Sequence, residues 1–162
     1  MHPDVLAILE QVKGTADFGY VEFPDINSKN YLGENALHIV VRWGDYEAAK
    51  LLIAHGIDVN QKGEEDYTPL HYACSYGRKE IAELLLENGA DPFARTAGYL
   101  PFTVARLGQH GEVCDLIRAY TSKQTRREMN GNDKHLQALS ESIERLEKQI
   151  EENCGSEVKR SD

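Results

Sequence analysis

Residues 68–71 carry the sequence Thr68-Pro69-Leu70-His71, and weaker copies of this motif lie at nearly equal distances on both sides of it. Asn35-Ala36-Leu37-His38 lies 33 positions upstream, and Leu100-Pro101-Phe102-Thr103 lies 32 positions downstream. A motif that returns at this interval is typical of a chain built from small stacked units. The interval therefore favours a function based on an extended binding surface over one based on a central catalytic pocket.

The repetition extends to the glycines and apolar runs that follow each copy of the motif. Gly44 recurs as Gly77, and the apolar run 51–53 recurs at 84–86. In the third unit, Gln109 stands at the position of this glycine. Because a helix end followed by a chain reversal often needs a positive φ, we expect that conformation at the repeated glycines. These are Gly44, Gly56, Gly77 and Gly89.

The pattern resembles the ankyrin repeat family over residues 25–120, and the second unit matches the family sequence nearly throughout. Its main departure is Asp66, which stands where the finger glycine usually lies. The resemblance implies an all-α ankyrin repeat solenoid of helix-turn-helix units with short hairpin-like fingers. It also implies a non-enzymatic protein that binds another protein. The chain is similar to small stand-alone bacterial ankyrin proteins proposed as immunity or antitoxin partners. The alternative is a scaffold or regulator that self-associates through a C-terminal helix.

His38 and His71 are the residues that most invite a catalytic interpretation. In ankyrin repeats the histidine of this motif bonds backbone and hydroxyl groups of neighbouring fingers, so the resemblance implies a structural role for both. Thr68 occupies the position of a helix N-cap, and Pro69 fits the first helical turn. The motif is therefore interpreted as scaffold.

Other signatures of catalysis or metal binding are missing from the sequence. It contains no nucleophile elbow, no phosphate-binding glycine loop and no zinc-protease motif. Asp25 and Asn27 faintly resemble the start of a calcium loop, but Ala36 stands where the bidentate glutamate belongs. We therefore predict no enzymatic activity, no cofactor and no metal.

The residues that differ between units are the candidates for partner binding. The resemblance implies that a partner contacts the finger tips and the inner-helix residues just before the helix-ending glycine. Aromatic side chains recur at these positions, and Trp, Tyr and Arg dominate binding hot spots. The candidate partner-binding residues are Tyr31, Trp43, Tyr67, Tyr76, Tyr99, Arg42, Glu34, Glu64 and Glu65. For Trp43 and Tyr76 the alternative is packing on the neighbouring repeat.

The charge of the chain indicates which partners suit it. The formal net charge of the 162 residues is −9, and residues 1–120 hold 18 acidic against 10 basic side chains. An acidic array repels phosphate backbones, which disfavours nucleic acid and favours a basic protein. No apolar run is long enough to predict a membrane span. Three widely spaced cysteines and an N-terminus unlike a secretion signal predict a cytoplasmic protein.

Five segments are predicted along the chain. They are an N-terminal capping helix with an ordered, aromatic-rich insertion (1–24), three repeats (25–120), a basic connector (121–132), a heptad-patterned helix (133–153) and a disordered tail (154–162). The connector either joins the two parts or extends the last outer helix. The heptad positions are Leu136, Leu139, Ile143, Leu146 and Ile150. This helix either caps the last repeat, forms a homodimer or partner contact, or is mobile.

Overall fold

The computed structural model describes residues 1–129 and 141–149. Its helices are α1 (Pro3–Lys13), α2 (Ala36–Trp43), α3 (Tyr46–Ala54), α4 (Pro69–Ser75), α5 (Lys79–Glu87), α6 (Pro101–Leu107) and α7 (Gly111–Met129), with a 3-10 turn at Glu64–Asp66. Residues 141–149 form a further helix. Extended pairing within the described residues is limited to one bridge between Thr96 and Tyr99. The predicted all-α class is confirmed.

The chain divides into two compact units, Met1–Arg118 and Ala119–Asp162. Within the first unit, α4 packs on α2, α5 and α6, whereas α3 packs on α2 and α5. Helices α2, α4 and α6 therefore form an inner row, and α3 and α5 form an outer row. This arrangement is the predicted stack of helix pairs, in which each pair buries its apolar residues against its neighbours.

The repeated motif begins the first two inner helices with the same contacts. The backbone N–H of Asn35 donates to Nδ1 of His38 (3.1 Å), and that of Thr68 donates to Nδ1 of His71 (3.2 Å). On its other side, Nε2 of His38 donates to the carbonyl oxygen of Tyr67 in the next finger (3.2 Å). Both imidazoles are buried. The bond to a neighbouring finger that the resemblance implied is confirmed for His38, whereas the hydrogen bonds of His71 lie within the start of its own helix.

A ladder of asparagine side chains joins successive units at the base of the fingers. The Asn27 amide donates to the carbonyl oxygen of Gly56 (3.3 Å), and its oxygen accepts from the backbone N–H of Asp58 (2.7 Å). One unit later, Asn60 makes both bonds again, each at 2.8 Å. Phe93 stands at the third equivalent position, where a side chain without hydrogen-bonding groups ends the ladder. The Asp25–Asn27 pair that faintly resembled a calcium loop thus serves repeat stacking.

A second contact between units lies at the end of each inner helix. The Arg78 guanidinium donates to the carbonyl oxygen of Arg42 (3.3 Å), and Nε2 of His110 donates to that of Ser75 (3.0 Å). A Cβ atom on Gly44 would lie 2.7 Å from Cζ of Arg78, so the glycine leaves room for the side chain of the next unit. These bonds satisfy carbonyl groups that a helix end would otherwise leave open.

The predicted positive φ is found after the outer helices, at 85° for Gly56 and 89° for Gly89. Two further left-handed turns occur in all three units, and the sequence provides glycine for them unevenly. The turn after the inner helix has φ of 78° at Gly44 and 65° at Gly77, but 60° at Gln109 in the third unit. The finger turn holds glycine in the first and third units, whereas Asp66 adopts φ 64° in the second. Asp66 and Gln109 therefore adopt the left-handed conformation that glycine adopts at the equivalent positions.

Replacing these two residues by glycine is expected to stabilise the fold. Gln109→Gly and Asp66→Gly should each raise the free energy of unfolding by about 1 kcal/mol, because a side chain in left-handed backbone is disfavoured by that order. The exposed Lys62–Asp66 ion pair lost in the second variant contributes little. Urea unfolding followed by circular dichroism measures the change. Gln11→Gly in α1 is the matched control and should lower the value by about 1 kcal/mol.

The N-terminal segment packs on the first repeat. Helix α1 contacts α2 and α3 and buries Val5, Leu9 and Val12. Its N-cap is His2, whose Nδ1 accepts from the backbone N–H two residues later (3.4 Å). In the following insertion, Phe18 is fully buried, with its ring centroid 5.6 Å from that of Phe23. One face of the predicted capping helix and part of the aromatic insertion therefore belong to the core.

The second unit is described in part. Residues 121–129, which were predicted to belong to a connector, continue α7 as a helix. In the segment 141–149, the side chains of Ile143 and Leu146 are 43% and 57% exposed. The other predicted heptad residues, Leu136, Leu139 and Ile150, lie outside the described residues. Among the described helices, none combines the length and the apolar character that crossing a membrane requires.

Candidate functional site

The five predicted aromatic residues, which we call the aromatic set, lie on the fingers and at the ends of inner helices. Trp43 is the last residue of α2, and Tyr76 directly follows α4. Their side chains are 43% and 50% exposed. On the fingers, Tyr31 is 72% and Tyr99 50% exposed, whereas Tyr67 is half-buried. Four of the five therefore present large aromatic area to solvent, and Trp43 and Tyr76 do so at equivalent positions of successive units.

Tyr72 connects the aromatic set to the interior of the stack. Its ring lies 6.4 Å from that of Tyr76 and 5.2 Å from that of Tyr67, measured between centroids. The buried His38 ring lies nearly perpendicular to the Tyr72 ring, with the two centroids 5.8 Å apart. Tyr67 and Tyr76, two members of the aromatic set, thus pack against Tyr72, which was not among the predicted partner-binding residues.

The structure corrects the prediction for Glu34, whose side chain is only 1% exposed and cannot present a carboxylate to a partner. Its two carboxylate oxygens are used internally: one accepts from the Tyr72 hydroxyl (2.8 Å) and the other from the Asn30 amide (2.9 Å). The Arg42 guanidinium lies 3.9 Å away. Burial, followed by the hydrogen bond to Glu34, raises the pKa of Tyr72 well above its ordinary range. Glu34 therefore holds Tyr72 and Asn30 in place beneath the candidate surface and does not itself contact a partner.

Arg42 is partly exposed, but its charge is already compensated within the chain. Its guanidinium forms a 2.8 Å ion pair with Asp17 of the N-terminal insertion and lies over the Tyr72 ring, 5.8 Å from its centroid. Arg42, Asp17 and Glu34 together carry a formal net charge of −1. The insertion therefore helps to shape the candidate surface and lowers its positive potential.

The second finger supplies exposed negative charge. Glu64 and Glu65 are exposed at its tip, where Glu65 adopts a left-handed φ of 51°. The backbone carbonyl of Glu65 accepts from the Thr96 hydroxyl of the next finger (2.5 Å), which fixes this turn. Lys62 pairs with Asp66 at 3.4 Å. The tip thus keeps two carboxylates that remain available to a partner.

The two motif histidines give the fold a dependence on pH. Burial lowers the pKa of His38 and of His71 below the ordinary imidazole value. Between the lowered value and about 6.5, the unfolded chain binds protons at these positions and the folded chain does not. Their contribution to stability is therefore fully present above about pH 6.5 and is lost as the pH falls below it.

Acidification from pH 7.5 to 5.0 is accordingly expected to lower the urea midpoint of unfolding. Each histidine contributes up to about 1.4 kcal/mol per pH unit within its window. His38→Gln should be less stable than the parent at pH 7.5, because it loses the contacts of the ring. It should also lose less stability on acidification. An equal loss in both proteins would contradict the assignment.

Sequence reasoning missed three residues of this site. Tyr72 gave no signal, because its equivalents, Ile39 and Val104, are buried core positions. Asp17 and Asn30 lie outside the repeated motif, and their roles depend on contacts with Arg42 and Glu34 that the repeat interval does not determine.

Comparison with known protein families shows which family the chain belongs to. A family model for ankyrin repeats, in three copies, matches residues 6–96, which is more than half of the chain. The chain belongs to the ankyrin repeat family. The match begins within α1 and ends before α6. A search among curated proteins finds no match. Ankyrin repeats are protein–protein interaction modules.

Proposed function

We propose that this ankyrin protein binds a basic protein partner through the aromatic set and the acidic tip of the second finger. The observation that carries the proposal is the exposure of Trp43 and Tyr76 at equivalent helix ends. Solvent-exposed aromatic side chains of this size bury large area at low entropic cost when a partner covers them. Tyr31 and Tyr99 extend the same kind of contact to the fingers.

Charge supports the choice of a basic partner. Residues 1–120 hold 18 acidic and 10 basic side chains, and Arg42 is paired with Asp17. Glu64 and Glu65 remain exposed. Complementary charge mainly accelerates association and excludes wrong partners. A surface of this sign disfavours nucleic acid.

Reversing the charge of the finger tip tests this choice. Glu64→Lys with Glu65→Lys is expected to slow association with the partner about tenfold at low salt. Surface plasmon resonance measures the association rate. Glu10→Lys with Glu47→Lys changes the net charge equally at exposed positions away from the fingers, and should have a smaller effect. Equal slowing in both variants would mean that overall charge, and not the finger tip, attracts the partner.

We propose that this binding is inhibitory, with the chain covering the active cleft of a basic toxin. The support is the small acidic array and its resemblance to bacterial immunity-type ankyrin proteins. No catalytic activity of its own is part of this proposal, since His38 and His71 are buried and bonded within the scaffold. A cytoplasmic location accompanies it, because Cys74 and Cys114 are free thiols.

Co-expression tests the inhibitory role. The chain is expected to restore growth to cells that express a toxin domain encoded beside its own gene. The Trp43→Ala, Tyr76→Ala double variant should fail to restore it at equal expression. Failure of the unchanged chain to rescue growth would refute inhibition and leave protein binding as a separate question.

Self-association is the second candidate function, and one observation favours it. Ile143 and Leu146, three residues apart on the helix 141–149, are exposed apolar side chains. Burying such a stripe in a helical pair is favourable. Sedimentation equilibrium tests this candidate: Ile143→Asp with Leu146→Asp should convert a dimer to a monomer. A monomeric mass for the unchanged chain would remove it.

A further inference from the structure

An open groove of about 560 Å³ lies along the outer row of helices, beside the first turn of α3 and along α5. Its apolar part is formed by Tyr46, Ile81 and Leu84. Ile81 is buried, Leu84 is half-buried and Tyr46 is 37% exposed. Gly44 and Gly77, which directly follow Trp43 and Tyr76, also line it, but none of the five side chains of the aromatic set does.

Three glutamates of α5 line this groove, and all three are exposed: Glu80, Glu83 and Glu87. Their spacing of three and four residues places them on one side of the helix, over a length of about 10 Å. Within the part of the chain that the structure describes, none of them forms an ion pair. Arg78 also lines the groove, and its guanidinium donates to the carbonyl oxygen of Arg42 while keeping its positive charge. With three carboxylates against one guanidinium, the groove presents net negative charge beside an apolar floor.

We propose that this groove is a second docking surface, which binds a basic amphipathic helix of a partner protein. Carboxylates at helical spacing match lysine or arginine side chains at the same spacing on an adjacent helix. The apolar stripe of such a helix would cover Tyr46 and Leu84, in the manner of helix-in-groove recognition. A nucleic acid does not fit this surface, because phosphate groups would face the three carboxylates.

A designed peptide tests the proposal on the full chain. The probe is a fluorescently labelled peptide of about 18 residues, made of leucine and lysine with leucine at helical period. A counterpart with glutamate in place of lysine serves as the charge control. Fluorescence anisotropy at about 0.15 M salt, where distant charges are largely screened, measures binding. The lysine peptide is expected to bind, and the glutamate peptide is expected not to.

Variants then locate the binding. Glu80→Gln, Glu83→Gln and Glu87→Gln together should weaken the lysine peptide about tenfold, as expected for the loss of three exposed ion pairs. Glu10→Gln, Glu47→Gln and Glu144→Gln together remove the same charge from exposed positions outside the groove and should change affinity less than twofold. Leu84→Ser should also weaken binding, with circular dichroism confirming an unchanged helix content.

Several results would overturn the proposal. They are the absence of binding to the unchanged chain, equal weakening in the two triple variants, and loss of the peptide in the Trp43→Ala, Tyr76→Ala variant. The last result would place the peptide on the aromatic set. Sedimentation of the chain alone supplies a further test: a dimer that dissociates in the Glu80, Glu83, Glu87 variant would identify the occupant as a second copy of the chain.

Discussion

Replacing Glu34 by alanine is expected to lower the free energy of unfolding by about 3 kcal/mol. The substitution removes the acceptor of two hydrogen bonds and leaves the Tyr72 hydroxyl and the Asn30 amide without it. Each unsatisfied buried donor is destabilising by about 1–3 kcal/mol, and the vacated volume adds to this. The expected loss is a large fraction of the stability of a small domain. Urea unfolding at pH 7.5 measures it.

Matched variants separate the network from the loss of a carboxylate. Glu64→Ala removes an exposed glutamate of the next finger and is expected to change stability by less than about 0.5 kcal/mol. Glu34→Gln keeps the shape and one acceptor, so its loss should be intermediate. If the network exists, Glu34→Ala and Tyr72→Phe will be non-additive in a double-mutant cycle. Purely additive losses, or a loss for Glu34→Ala as small as that for Glu64→Ala, would contradict the buried network.

The repeat architecture could be predicted from the sequence because its physical requirements recur at a fixed interval. Left-handed turns recur at 33 and 32 residues, and the glycines at positions 44 and 77 mark them directly. The departures at Asp66 and Gln109 were also visible, since a repeat shows where a residue should have been. What the interval could not show was that both residues accept the glycine conformation.

The site was harder to predict because it depends on contacts that differ from unit to unit. Glu34 occupies the position equivalent to Tyr67 and Tyr99 in the other fingers, and this made partner binding a plausible prediction for it. Its two hydrogen-bonding neighbours, Tyr72 and Asn30, are replaced by other residue types at the equivalent positions of the other units. Predicting from equivalent positions assumes that a residue is as exposed as its equivalent in the next repeat. This assumption fails where one unit contains a buried polar network.

The second large effect concerns partner binding. Trp43→Ala with Tyr76→Ala is expected to weaken binding of the partner by about 100-fold or more, because truncating an interface hot spot often loses 2 kcal/mol or more. Both side chains are about half exposed, so the fold should tolerate their removal, and the helix content measured by circular dichroism should not change. Leu6→Ala with Phe93→Ala is the matched control, because it removes two similarly exposed apolar side chains outside the aromatic set.

The most direct test of partner binding through the aromatic set is affinity capture from a lysate of the native host, followed by mass spectrometry. The unchanged chain and the Leu6, Phe93 control should enrich the same basic protein, and the Trp43, Tyr76 variant should lose it. Titration calorimetry with the purified partner should then give similar affinities for the unchanged chain and the Leu6, Phe93 control, and a much weaker affinity for the Trp43, Tyr76 variant. Equal capture by all three proteins, or enrichment of an acidic partner, would contradict the account.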